Sequence, residues 1–159
     1  MKRSMFSEYS ALYQQYSQKY GRNTAVFLAV GSFYELYDIQ HKETGETRCN
    51  VREIVDLLGI QLSSKKGDYE DNEEGLFAGF PDYVLHKWAG RLTSSGWTVV
   101  IVDQIKDAKG KVKERKVSRI LSPSTHIENI SSTETPYIAT LYFHSQGQTS
   151  PSYGAGLLD

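Results

Sequence analysis

Residues 25–30, Ala-Val-Phe-Leu-Ala-Val, form an unbroken apolar run that leads directly into Gly31-Ser32-Phe33-Tyr34-Glu35-Leu36-Tyr37. Both stretches read as strands, 24–30 and 33–39, the first by its apolar continuity and the second by its aromatic content. Strand alternation places Phe33, Glu35 and Tyr37 on one face and Tyr34 and Leu36 on the other.

The rest of the chain alternates helix and strand. Tyr9, Leu12, Tyr13, Tyr16 and Tyr20 recur at helical spacing, with Gly21 at the expected C-terminus. This tyrosine stripe reads as core packing rather than as a stacking platform. Asn50 is the expected N-cap of a helix carrying Val51, Ile54, Val55, Leu57 and Leu58, and Gly59 stops it. Strands are expected over 59–63 and 75–80. A further helix from Asp82 turns Val84, Leu85, Trp88 and Leu92 inward and ends before Gly96. Strands over 97–105 and 114–121 flank a basic hairpin. The predicted fold is α/β, a mixed sheet flanked by helices.

After Leu121 the character changes. The predicted organisation is a first domain over 1–121, a polar linker over 122–136 and the beginning of a second, truncated domain over 137–159. That last part reads as two strands, Tyr137 to Phe143 and Tyr153 to Leu158, joined by the loop from His144 to Ser152. A lone hairpin of that size is marginal in water, which suggests an excised fragment.

Phe33 and Glu35 stand about 6.6 Å apart on such a strand. Two base-stacking steps of about 3.4 Å cover the same length, so a ring can enter a base step while the carboxylate reaches a neighbouring base. The competing reading makes Phe33 and Tyr37 ordinary core residues. With this motif the chain resembles the N-terminal mismatch-recognition domain of the MutS family of DNA mismatch repair proteins. The family pattern is an apolar strand followed by Gly-Asp-Phe-Tyr-Glu-Leu-Phe. Phe33 and Glu35 occupy the places of the residues that read the mispair, and Ser32 replaces the usual Asp.

Four further blocks match in the same order. They are Leu58-Gly59-Ile60-Gln61-Leu62 with Lys65-Lys66, Ala78-Gly79-Phe80-Pro81, Val99-Val100-Ile101-Val102-Asp103-Gln104-Ile105, and the stretch from Glu114 to Thr125. The last is similar to Glu-Arg-Lys-Val-x-Arg-x-x-Thr-Pro-Gly-Thr. The resemblance runs from about residue 8 to 126. It implies that Phe33 enters the duplex from the minor groove beside a mispair and that Glu35 hydrogen-bonds the mispaired base. Tyr37, Lys65, Lys66, Lys106, Lys109 and Lys111 are candidates for backbone or groove contacts. The implied partners are mismatched double-stranded DNA and a MutS-type dimer partner, with no membrane. The alternative is a protein-interaction module of the same fold that does not read mismatches. Exposure of Phe33 together with Glu35 discriminates the two.

Charge qualifies this reading. The net charge of −1 is low for a nucleic-acid binder, but seven basic residues fall within positions 106–119, of which 106–113 read in the first place as a solvated loop and in the alternative as a DNA-facing patch. An acidic run, Asp68, Glu70, Asp71, Glu73 and Glu74, offsets them and is expected to be a loop pointing away from DNA. The segment from His41 to Arg48 reads as an exposed turn beside the aromatic strand, in the first place as surface decoration and in the alternative as a contact to DNA through Lys42 or Arg48.

Enzyme signatures are missing. There is no Gly-x-x-x-x-Gly-Lys-Ser/Thr phosphate loop, so the ATP and Mg chemistry that the resemblance implies for the full-length family lies outside this chain. Gly-x-Ser-x-Gly and His-Glu-x-x-His are also missing. No catalytic residue, metal ligand or resident cofactor is expected here: the four histidines are scattered, and Asp38 and Glu35 fall on opposite strand faces. A single cysteine, Cys49, forms no intramolecular disulfide, and no signal peptide or membrane span is visible. The expected location is cytoplasmic and nucleoid-associated, or otherwise intracellular.

Overall fold

The structure, a computed structural model, describes residues 4–123, 138–146 and 150–158, the last two stretches as backbone only. Helix α1 (Met5–Tyr20) starts at Ser4, whose hydroxyl accepts the Ser7 N–H at 3.2 Å, and ends where the Gly21 N–H meets the Ser17 carbonyl. The chain then forms β1 (Thr24–Val30) and β2 (Phe33–His41), and continues through α2 (Val51–Leu58), β3 (Ser63–Ser64) and β4 (Glu73–Pro81). A 3₁₀ turn (Asp82–Val84) precedes α3 (Leu85–Ser94), β5 (Thr98–Lys106) and β6 (Val112–Leu121).

Six strands form one sheet in the order β3-β4-β2-β1-β5-β6. Only β1 and β5 pair in parallel, so the sheet is mixed, as expected. Residues 24–29 of β1 are all buried, which explains its unbroken apolar sequence: helices cover this central strand on both sides. Tyr37 meets Phe6 and Tyr9 of α1 on one face, while Asp38 meets the start of α2 on the other. The tyrosine stripe is anchored by Tyr9, fully buried, whose hydroxyl donates to the Val26 carbonyl at 3.0 Å.

Several local expectations change. Asn50 stands at the N-cap position, but its side chain makes no capping bond; its Nδ2 donates instead to the carbonyls of Arg22 and Thr24. Asp38 accepts the Val51 N–H in its place. The strand expected over 59–63 shrinks to Ser63–Ser64. Ile60 donates its N–H back to Val55 at the end of α2, and Ile60 and Leu62 pack on the core without joining a ladder. β4 starts earlier than expected, at Glu73, so two residues of the acidic run are strand rather than loop. β6 likewise starts at Val112, which tightens the basic hairpin.

Towards the C-terminus, β7 (Ile138–Gln146) pairs antiparallel with β8 (Ser150–Leu158). Both strands extend into the segment expected as a loop, since His144 pairs with Ser152 and Gln146 with Ser150. Most of the expected linker, from residue 124 on, and Tyr137 lie outside the described residues. Among the described residues no helix is long and apolar enough to cross a membrane.

Candidate nucleic-acid interface

One end of the sheet gathers the features singled out in the sequence. The β1–β2 hairpin turns through two residues, Gly31 and Ser32, between the paired Val30 and Phe33. Gly31 has φ 62°, and Ser32 is not in the left-handed region, the pattern of a type II′ turn with glycine first. The Ser32 carbonyl accepts the Asp82 N–H at 2.8 Å, which ties this turn to the end of β4. Phe33 opens β2 opposite Pro81 and remains 46% exposed. A half-exposed ring at a strand end, rigidly paired on both sides, contributes little to the core and is free to meet a ligand.

Glu35 shares the face of Phe33, as alternation requires, but its side chain is only 13% exposed. Its Oε2 accepts a short hydrogen bond from the Tyr37 hydroxyl and lies 3.8 Å from the Lys65 ammonium. Lys65 also donates to the Tyr37 hydroxyl at 3.2 Å, with its Nζ 4.3 Å from the Phe77 ring centroid. The partner of Glu35 on β4 is Gly79, where a Cβ would sit 3.2 Å from the Tyr34 carbonyl and 3.5 Å from Glu35 Cγ. Glycine therefore eases the close approach of the Tyr34 carbonyl, while Glu35 Cγ stands at ordinary contact distance.

Tyr37 is the expected contact that the structure moves elsewhere. It is 1% exposed, packed among Phe6, Tyr9 and Phe77, so it supports Glu35 from within and presents no surface. Burial, and then the neighbouring Glu35 carboxylate, push its phenol well above the usual range, so it remains a donor. Both lysines are exposed, and Lys65 is the one brought to Glu35. The joint exposure that was to discriminate the readings is thus met by Phe33 and only in small part by Glu35.

Lys106, Lys109 and Lys111 are all exposed on the β5–β6 hairpin. Asp107 organises its tip: Oδ1 accepts the N–H groups of Lys109 and Lys111, both at 2.9 Å. Lys106 lines a cleft of about 230 Å³ together with Gly31, Phe33, Tyr34, Asp82 and Asp103, so the hairpin lies at the Phe33 end of the sheet. Arg115, counted among the basic residues, is structural. Its Nε and Gln104 Nε2 both donate to the Ala29 carbonyl, and its guanidinium is 3.5 Å from Glu8.

The acidic run occupies the opposite end. On the β2–β4 ladder Phe33 faces Pro81 at one end and His41 faces Glu73 at the other, roughly 26 Å away at about 3.3 Å per residue. The turn from His41 to Arg48 lies there too, so it is not beside Phe33 as expected. Lys42 donates to the Asp71 carbonyl and Arg48 pairs with Glu73. The weak net charge therefore conceals a separation along β2, with the exposed hairpin lysines towards the Phe33 end and, at the far end, Arg48 paired with Glu73 and Lys42 held by a backbone carbonyl.

Tyr83 was not anticipated. It is 81% exposed in the 3₁₀ turn that follows Pro81, next to the Asp82–Ser32 bond. Its only sequence signal was its place two residues after Ala78-Gly79-Phe80-Pro81. Among the described residues no group of three or more His, Cys, Asp or Glu is arranged to hold a metal ion.

The family model for MutS domain I matches residues 4–129. The chain is 30% identical to a DNA mismatch repair protein MutS of Salinibacter ruber over 152 residues, 92% of this chain and 15% of that protein. It is 31% identical to the MutS protein of Methanococcoides burtonii over 153 residues, 94% of this chain and 16% of that protein. A mitochondrial DNA mismatch repair protein mutS homolog of Sarcophyton glaucum is 26% identical over 156 residues, 86% of this chain and 15% of that protein. The chain thus spans about one sixth of the length of the curated relatives it matches.

Proposed function

The chain belongs to the MutS family, whose domain I it carries, and from that premise we propose that it recognises mispaired or looped duplex DNA in mismatch repair. Phe33 enters the duplex from the minor groove and stacks beside the mispaired base, while Glu35 hydrogen-bonds that base. The observation that carries this reading is the half-exposed Phe33 at the sheet end, on the same face as Glu35 and beside the lysine hairpin.

The energetic logic follows from the duplex. A mispaired or unpaired step costs less to unstack and kink than a Watson–Crick step, so the wedge discriminates through deformation energy. Lys66, Lys106, Lys109 and Lys111 hold the backbone without reading sequence. Glu35 among phosphates is repelled, and this weakens binding to perfect duplex. In the full-length family a dimer partner and an ATP- and Mg-dependent step complete the cycle; this chain supplies the reading surface.

The deep seat of Glu35 favours a second reading, an interaction module that keeps the fold but does not read mismatches. Fluorescence-anisotropy binding to a G·T-mismatched duplex and its perfect counterpart, at two salt concentrations, separates the two. Mismatch preference that disappears in Phe33→Ala is expected. Equal affinity for both duplexes in the unmutated protein would reject the wedge.

A further inference from the structure

Exposed apolar side chains gather at one end of the sheet. Five large hydrophobic residues are exposed among the described residues; Tyr20 closes α1, and the other four, Phe33, Tyr83, Ile105 and Val112, share the Phe33 end. Single exposed apolar residues are ordinary, but a group of four at one edge marks a contact surface. Strand order spaces them. β1 and β5 run parallel, so the end of β5 stands beside the β1–β2 turn, and Val112 pairs with Lys106 there. Tyr83 follows Pro81, the β4 partner of Phe33, by two residues. The order across this end is therefore β4 with Tyr83, β2 with Phe33, β1, then β5 and β6 with Ile105 and Val112. At about 4.8 Å per strand, Tyr83 flanks Phe33 at one strand spacing and Ile105 flanks it on the other side at two, about 14 Å from arm to arm. The cleft lined by Asp82, Phe33 and Lys106 lies between these arms.

We infer that Tyr83 is a second, apolar DNA contact and that the two arms straddle the minor groove, with the β5–β6 hairpin on one strand and the Tyr83 ring against the deoxyribose of the other. The inference rests on the wedge reading above and deepens it, because it assigns the two strands to different forces. A span of about 14 Å exceeds the minor-groove width of about 6 Å, so arms on either side of the wedge reach the two backbones and not the groove floor. The hairpin offers Lys106, Lys109 and Lys111 to phosphates. Beside Tyr83 stands Asp82, whose carboxylate repels phosphate, so this arm contributes through its ring. The turn that carries the ring is fixed before DNA arrives. The Asp82 N–H is held by the Ser32 carbonyl at 2.8 Å, and the Leu85 N–H closes the 3₁₀ turn on the Asp82 carbonyl. A tyrosine on such a turn loses little conformational freedom on binding.

The test uses the whole chain and a duplex carrying one unpaired thymine, which makes the two strands distinguishable, beside its perfect counterpart. Tyr83→Ala is expected to weaken binding about fivefold, the low end for removal of an aromatic contact, with the log–log salt slope unchanged. Its Tm should not move, because the side chain is already in water. Tyr83→Phe should restore affinity, since the ring and not the hydroxyl makes the contact. Unchanged affinity in Tyr83→Ala, while Phe33→Ala still abolishes the preference for the bulged duplex, would overturn this inference and leave the wedge intact. A slope shallower by about 0.9, with no rescue by Tyr83→Phe, would overturn it in favour of a phosphate contact through the hydroxyl. If Phe33→Ala is inert while Tyr83→Ala weakens binding, the wedge falls and the flanking contact stands. Binding to neither duplex would overturn both. Photo-crosslinking decides the straddle: Tyr83→p-benzoylphenylalanine and Lys109→p-benzoylphenylalanine should label opposite strands, and label from both on the same strand would overturn it.

Discussion

The Asp38 carboxylate on β2 accepts the backbone N–H of Val51 at 3.3 Å and so caps α2 across the fold, while its other oxygen takes the N–H groups of Ile39 and Cys49 at 2.8 Å each. Asp38 is 1% exposed, and burial raises its pKa despite these donors. A raised acid holds its proton longer in the folded state, so its contribution to stability is present below the unfolded value and falls as pH rises through the folded one. Asp38→Asn, which cannot ionise, should therefore gain on the parent as pH rises above the usual carboxylate range, read as the difference in Tm. A difference moving the other way would mean that the three N–H donors outweigh burial.

Gly75 should be less replaceable than Gly79. A Cβ at Gly75 would lie 2.4 Å from the Lys65 carbonyl oxygen and 2.6 Å from both the Phe6 and Tyr69 rings, against a nearest approach of 3.2 Å at Gly79. Gly75→Ala is expected to cost about 1–3 kcal/mol by overpacking and Gly79→Ala less, measured by denaturant unfolding. Gly79→Val, pressing on the Tyr34 carbonyl, should lower Tm before DNA specificity changes. An unchanged Tm there would contradict the tight register of β2 and β4.

Phe33→Ala should leave the fold nearly intact. About half of the ring is already in water, so the loss is about 1 kcal/mol at most. A markedly larger loss would return Phe33 to the core.

Glu35→Ala should raise affinity for perfect duplex, because it removes a repelled carboxylate and releases Lys65 for phosphate. Titration of both duplexes decides the matter. Weaker or unchanged perfect-duplex binding counts against repulsion.

Replacing Lys106, Lys109 and Lys111 together by Gln should lower affinity for mismatched and perfect duplex alike and reduce the log–log salt slope by about 2.7. The mismatch preference itself should persist. A slope that does not change would remove the hairpin from the interface.

Much of this architecture is legible in the residues alone. The apolar continuity of β1, the glycine after it and the aromatic alternation of β2 specify a buried strand, a tight turn and a shared face for Phe33 and Glu35, because period and turn chemistry are local properties. Sequence did not reveal that Asp38 caps α2, that Arg115 and Gln104 satisfy the Ala29 carbonyl, or that Tyr37 holds Glu35 from inside the core. Each of these depends on groups that only the folded sheet brings within hydrogen-bond reach. Alternation put Tyr37 on the face of Phe33 but could not tell where α1 ends its cover, and that boundary leaves one ring in water and buries the other. The charge pattern shows the same division. Sequence determined the basic and acidic runs, whereas tertiary structure placed them at opposite ends of β2, because strand pairing decides which ends of distant segments meet.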